Sequence, residues 1–98
     1  MRLDSGITNI SSAGTAAQVS NVTNRVKEVT FKALAGNSGL VYVGESDVSA
    51  SNGYELSAGN TLTRNFGDFG GSVPANIFYV DSASSNDKVA WSMILEGC

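Results

Sequence analysis

The stretch Gly39–Thr63, GLVYVGESDVSASNGYELSAGNTLT, decides the fold of this chain. It reads as strand, turn, short strand, turn, strand. Val41 and Val43 fall on one face of the first strand, and Leu40 and Tyr42 on the other. Apolar residues on both faces fit a strand that is covered from both sides. Gly36-Asn37-Ser38-Gly39 precedes it, and glycine and asparagine tolerate positive φ, so the chain turns there. Gly44 ends the strand, Glu45, Ser46 and Asp47 form a polar connection, and Val48 is expected to plug the edge of the core. Asn52-Gly53 predicts a type I′ hairpin, because that turn needs positive φ at both central positions. Tyr54 and Leu56 then alternate with Glu55, and Ala58-Gly59-Asn60 reverses the chain again. Leu62 sits between Thr61 and Thr63, both good strand formers.

Downstream, Arg64-Asn65-Phe66 extends this last strand, and 67–71 is a glycine-rich loop carrying Phe69. Pro74, the single proline, suits a turn or the start of a strand. Ile77 to Val80 is a fully apolar strand, and Asp81 to Asp87 is a polar hairpin loop. Lys88 to Leu95 is the final strand, with Val89, Trp91, Met93 and Leu95 as its core face. Upstream, Val29, Phe31 and Ala33 alternate with Glu28, Thr30 and Lys32, a strand with one buried and one solvated face. The β-branched and aromatic content of 23–34 favours strand over helix. Residues 1–24 hold only scattered apolar groups, Ile7, Ile10, Val19 and Val22 among them. They read as an extended N-terminal arm ending in a strand over Ala16–Val22, which orders against a neighbour. The chain thus divides into an arm, 1–24, and a β domain, 25–98. The domain is all-β, a small antiparallel sandwich or barrel, jelly-roll-like, of about six to seven strands.

Composition agrees. At 98 residues there is room for one modest core. Gly, Ser, Asn and Thr make up 40 of the 98 residues, a balance that favours short strands and many turns. The net charge is −3 and the six basic residues are spread along the chain, so no basic face for nucleic acid is expected. The N-terminus lacks the apolar run of a signal peptide, and no segment approaches the roughly 20 apolar residues of a membrane span. There is no histidine, which removes the commonest general base and metal ligand. The single cysteine, Cys98, cannot form an intrachain disulfide and reads as a frayed terminal residue.

No catalytic arrangement stands out in the sequence. The serines have no histidine or Ser–Lys motif to activate them. Glu45, Asp47, Asp68, Asp81 and Asp87 could gather around calcium, but no EF-hand spacing is present, so they read as solvated loop carboxylates. The chain is therefore expected not to be an enzyme, with no catalytic residues, no cofactor and no metal. Trp91 alternates with Val89 and Met93 and belongs to the core. Phe66 and Phe69, aromatics beside a glycine-rich loop, are candidates for an interface.

The pattern VTFKALAGNSGLVYVGESDVSASNGYELSAGNTLT followed by IFYVDSASSNDKVAWSMIL resembles a group of small tailed-bacteriophage virion structural proteins. The features that carry the resemblance are Val29 to Ala33, Gly36 to Gly39, Val41 to Gly44, Asn52-Gly53, Leu56 to Gly59, and Ile77 to Leu95. It covers roughly residues 26–95 and leaves the arm unmatched. It implies a compact β-sandwich seated on a capsid or tail, often as a homo-oligomer, with a trimer before a dimer. The expected function is a capsid decoration or cement subunit that binds the major capsid protein, or other virion proteins, and stabilises the shell. Ile7, Ile10, Phe66 and Phe69 are the expected protein contacts. The alternative is a tail or fibre module that binds host carbohydrate.

Overall fold

Strands form where the pattern alternates, and their partners follow from which faces are apolar. The computed structural model describes residues 2–66 and 73–95. In chain order the strands are β1 (Arg2–Ile10), β2 (Ala17–Gln18), β3 (Arg25–Ala33), β4 (Val41–Gly44), β5 (Tyr54–Leu56), β6 (Thr61–Asn65), β7 (Val73–Pro74), β8 (Tyr79–Ser82) and β9 (Asp87–Leu95). A 3-10 turn, Ala75–Ile77, leads from β7 to β8. Among the described residues no helix is long and apolar enough to cross a membrane.

The strands build two antiparallel sheets. The first runs β1-β9-β3-β6, with β7 also paired to β3, and the second runs β2-β8-β4-β5. With the two-residue β7 set aside, first pairs with last and so inwards: β1 with β9, β2 with β8, β3 with β6, β4 with β5. This is one long antiparallel ribbon rolled into two sheets, a jelly roll. Phe31, Val29, Val89, Met93 and Leu95 from the first sheet meet Val41, Val43, Leu56 and Val80 from the second. Phe31 and Phe78 meet edge to face, 5.5 Å between ring centroids.

Several expectations are corrected. Residues 2–24 are not an arm outside the domain. β1 pairs with β9 in unbroken register from Arg2↔Leu95 to Ile10↔Asp87, and Ile10 and Val19 belong to the core. The strand drawn over Ala16–Val22 shrinks to Ala17–Gln18, paired with β8. Asn52-Gly53 is not a type I′ turn, since positive φ occurs among the described residues only at Gly14, Gly59 and Asn86. β4 and β5 are instead joined by the longer loop 45–53, which folds back over β4. Asn52 knits that loop by accepting from Ser49 N–H (2.8 Å) and donating to the Asp47 carbonyl (3.1 Å). Gly53 is needed there for closeness, because a Cβ would collide with Tyr42 Cβ and lie 2.8 Å from Val48 Cγ2. Val48 therefore covers the outer side of β4 rather than plugging the main core. That cover is why Tyr42, facing away from Val41 and Val43, is still buried.

The Asp81–Asp87 segment is not a hairpin loop either: β8 and β9 lie in different sheets, and the connection crosses between them. Asn86 takes the left-handed conformation there (φ 68°) and donates its N–H to the Ile10 carbonyl at 2.7 Å. The turn at Ala58-Gly59-Asn60 is present, with Gly59 at φ 85°.

Candidate interaction surface

The first sheet presents its outer face to solvent, and the registers fix which residues share each row. Leu3 lies beside Ile94, then Glu28, then Asn65; Ser5 beside Ser92, Thr30 and Thr63; Ile7 beside Ala90, Lys32 and Thr61. On the β3–β6 side the face is polar and tied by its own bonds, Thr30 to Thr63 at 3.0 Å and Asn65 Nδ2 to Glu28 Oε1 at 3.0 Å. On the β1–β9 side the apolar Leu3, Ile94, Ile7 and Ala90 are interspersed with Ser5, Ser92, Asn9 and Lys88. Leu3 is 69% exposed and Ile7 62%, and with Tyr54 they are the large hydrophobic side chains that stand exposed among the described residues.

β1 is also the edge of its sheet. Backbone groups of alternate residues in an antiparallel strand point to opposite sides. Ile10 accepts from Asn86, so its carbonyl faces β9. On β9, the Lys88 carbonyl accepts from Leu34 N–H on the β3 side, so the even residues of β9 face β3 and the odd ones face β1. Both observations place the even residues of β1 in the ladder with β9. The N–H and C=O groups of Leu3, Ser5, Ile7 and Asn9 therefore point to the open side. Ser5 N–H is met there by its neighbour, Asp4 Oδ1, at 3.1 Å. The strand carries no proline and no bulge, two of the devices that blunt a sheet edge, and its one inward charge is Asp4.

Of the contacts expected from sequence, Ile7 stands on this face. Ile10 does not: it is fully buried in the core and has no surface to offer, because it sits on the opposite side of the strand from Ile7. Phe69 lies outside the described residues. Phe66 is partly buried, its ring 6.2 Å from Phe78, and it lines a cleft of about 350 Å³ with Leu62, Arg64, Val73 and Tyr54. Across that cleft the Arg64 guanidinium lies 5.3 Å from the Tyr54 ring centre. Leu3 was missed; the one signal for it was the i, i+4 spacing to Ile7 on a strand whose existence was not recognised.

Of the five carboxylates considered as calcium ligands, Glu45 and Asp47 are exposed as expected and Asp68 lies outside the described residues, but Asp81 and Asp87 hold the fold. Asp87, buried, accepts from Ser38 N–H and Gly39 N–H, one with each oxygen, both at 2.9 Å. Asp81, also buried, accepts with Oδ1 from Gly14 N–H (2.9 Å) and Ser82 N–H (2.8 Å). They are not solvated loop groups, as the sequence suggested: each ties a turn to the sheets. Among the described residues no three His, Cys, Asp or Glu side chains gather as a metal site would require. Trp91 lies on the inner face but is only partly buried. Its ring lies over Gly6, where a Cβ would come within 2.8 Å of Cζ2, and its Nε1–H donates to Thr8 Oγ1 at 3.2 Å.

No protein-family model matches the chain, and no curated protein matches it. Solved structures similar to the chain include two that cover nearly all of it. One is the SPBc2 prophage-derived protein YomS, 13% identical over 95% of each chain with a TM-score of 0.48. The other is from Bacillus endospore appendages, described as a family of disulfide-linked pili, 11% identical over 97% of this chain and 88% of that one, with a TM-score of 0.44. These neighbours come from a prophage and from a spore surface appendage, and likenesses this weak do not carry a function from one chain to another.

Proposed function

We propose that this chain is a non-enzymatic structural protein of a bacteriophage virion, a decoration or cement subunit on the capsid surface that binds the shell and stabilises it. The observation that carries the reading is the outer face of β1, where Leu3 and Ile7 stand exposed along an unpaired sheet edge. Leu3 and Ile7 give that face apolar contact area for a shell protein lying across it. The jelly roll is a framework used by viral capsid domains and by lectins, so the fold is compatible with the reading without deciding it. Each copy would bury a modest area on the major capsid protein. Many copies bridging neighbouring subunits raise the free energy of shell disassembly through multivalency.

The test uses shells of the encoding phage that lack this protein. Purified full-length chain should co-sediment with them and raise the temperature at which they open, and Ile7→Lys should weaken both effects. Failure to bind shells, with binding to tails or to glycans instead, overturns the reading.

The second reading, a tail or fibre module for host carbohydrate, rests on Tyr54, which is half exposed at the rim of the cleft. It is the weaker one. Arg64 already covers one face of that ring, and Phe31, Tyr42 and Phe78 are buried, so no row of exposed aromatics forms among the described residues.

A further inference from the structure

We infer that β1 is a self-pairing edge: two copies of this chain join through antiparallel β1–β1 pairing about a two-fold axis at Ser5. The inference rests on the strand's own geometry and is independent of any particle.

Backbone direction restricts the pairing first. Only Leu3, Ser5, Ile7 and Asn9 aim their backbone groups outward, so an incoming antiparallel copy must set odd residues against odd residues. Side chains then choose among those registers. Pairing Asp4 with Asp4 sets like charges opposite each other, which is unfavourable. Pairing Gly6 with Gly6 sets Leu3 against Asn9 and Ile7 against Ser5. Pairing Ser5 with Ser5 sets Leu3 against Ile7 of the other copy, twice over by symmetry. In this last register the row Ile94-Leu3 continues into Ile7-Ala90 of the second copy, with the serines Ser92 and Ser5 between the two such rows. The exposed hydrophobic side chains of β1 then cover each other.

Length favours a copy of the same strand over the chain's other edges. β1 is nine residues long, whereas β6 has five, β5 three and β2 two. A two-fold pairing is closed, so it yields a dimer rather than a fibre. About six ladder bonds would form in this register. One local bond must be given up, that from Ser5 N–H to Asp4 Oδ1. An edge contact of this kind is small beside the about 1,200–2,000 Å² of a standard interface, so the dimer should be weak and concentration-dependent.

The test is sedimentation equilibrium of the full chain over a wide concentration range, beside two variants. Ser5→Pro removes an outward N–H that β9 does not use, so it should weaken the dimer about tenfold or more and keep the native unfolding transition. Ile7→Lys, at an exposed position, should do the same and stands in if Ser5→Pro does not fold. In a Cys98→Ser background, Ser5→Cys should form a disulfide-linked dimer on mild oxidation, since paired Cα atoms about 5.5 Å apart suit that bond. A dimer that neither variant weakens, a trimer without the Ser5→Cys cross-link, or a monomer at every concentration overturns the inference. Binding of β1 to a strand of another protein while the chain itself stays monomeric overturns it too, since the edge would then belong to that partner.

Discussion

Ile7 and Ile10 lie three residues apart in one strand, and the structure assigns them opposite fates. Ile10 is fully buried and Ile7 is 62% exposed. Truncating Ile10 to alanine removes side-chain atoms from a close-packed core. Buried Ile→Ala changes cost about 2–5 kcal/mol, the transfer loss plus the cavity left behind. Complete burial within the core cluster places Ile10 within that range rather than below it. For a domain of this size each kcal/mol lowers the melting temperature by roughly 4–8 °C, so the fall should be on the order of 10–30 °C. Ile7→Ala on the outer face should change stability by no more than about 0.5 kcal/mol. The assay is thermal unfolding followed by circular dichroism, at a protein concentration low enough that self-association does not contribute. Equal melting temperatures for the two variants would refute the placement of β1 in the sheet. A larger loss for Ile7→Ala would mean that the strand sits one residue out of register, because such a slip exchanges the two faces.

Deleting residues 2–10 should leave no cooperative unfolding transition at 37 °C, since it strips the partner from β9 and takes Ile10 from the core; a well-folded truncated domain would restore the reading of this segment as an arm. Asp87→Asn should cost about 1–3 kcal/mol in urea unfolding, because an amide can accept from one of Ser38 and Gly39 but turns a donor toward the other; a loss within error would show that the two N–H groups find water instead. Gly6→Ala should cost about 1–3 kcal/mol and shift the tryptophan fluorescence, as the new Cβ meets the Trp91 ring. Unchanged fluorescence would mean that the ring does not rest on Gly6. Trp91→Phe should be milder than a fully buried tryptophan would suggest, losing about 0.5–1.5 kcal/mol with the bond to Thr8, and unfolding in urea checks it.

How far the fold could be read in advance depended on whether a strand's own side chains carry its burial. β4 could be read, because VYVG is apolar on both sides and is covered on both, by the core and by Val48. β9 could be read from Val89, Met93 and Leu95 at period two. In β3 the inward pair Val26 and Val29 is three apart, a spacing that invites a helix. The structure explains it by an irregularity at Lys27, where the register with β9 shifts between Val26 and Glu28. Local patterns also could not say whether consecutive strands pair. The polar segment after β8 looks like a hairpin loop, but its aspartates are fixed by Ser38, Gly39 and Gly14, residues distant in sequence.

β1 escaped reading for a different reason, and that reason bears on function. Its inward positions above Ile10 are Asp4, Gly6 and Thr8, while its apolar Leu3 and Ile7 point out, so its hydrophobic pattern is inverted. The inversion is possible because β9 supplies the missing bulk. Trp91 lies across Gly6, where any larger residue would collide, and its indole N–H takes up the Thr8 hydroxyl. With the inner side filled by a neighbour, β1 needs only small or polar residues there. Its outer side is then free of any demand from the core. Leu3 and Ile7 contribute little to the packing of this chain alone, yet they expose apolar surface on an edge without proline or bulge. Where local residues fit the fold poorly and nothing inside the chain compensates, the reason is to be sought in a contact the isolated chain does not contain. The self-pairing register about Ser5 would supply that contact for both residues at once, and a shell partner lying across the same face would supply it for many copies together.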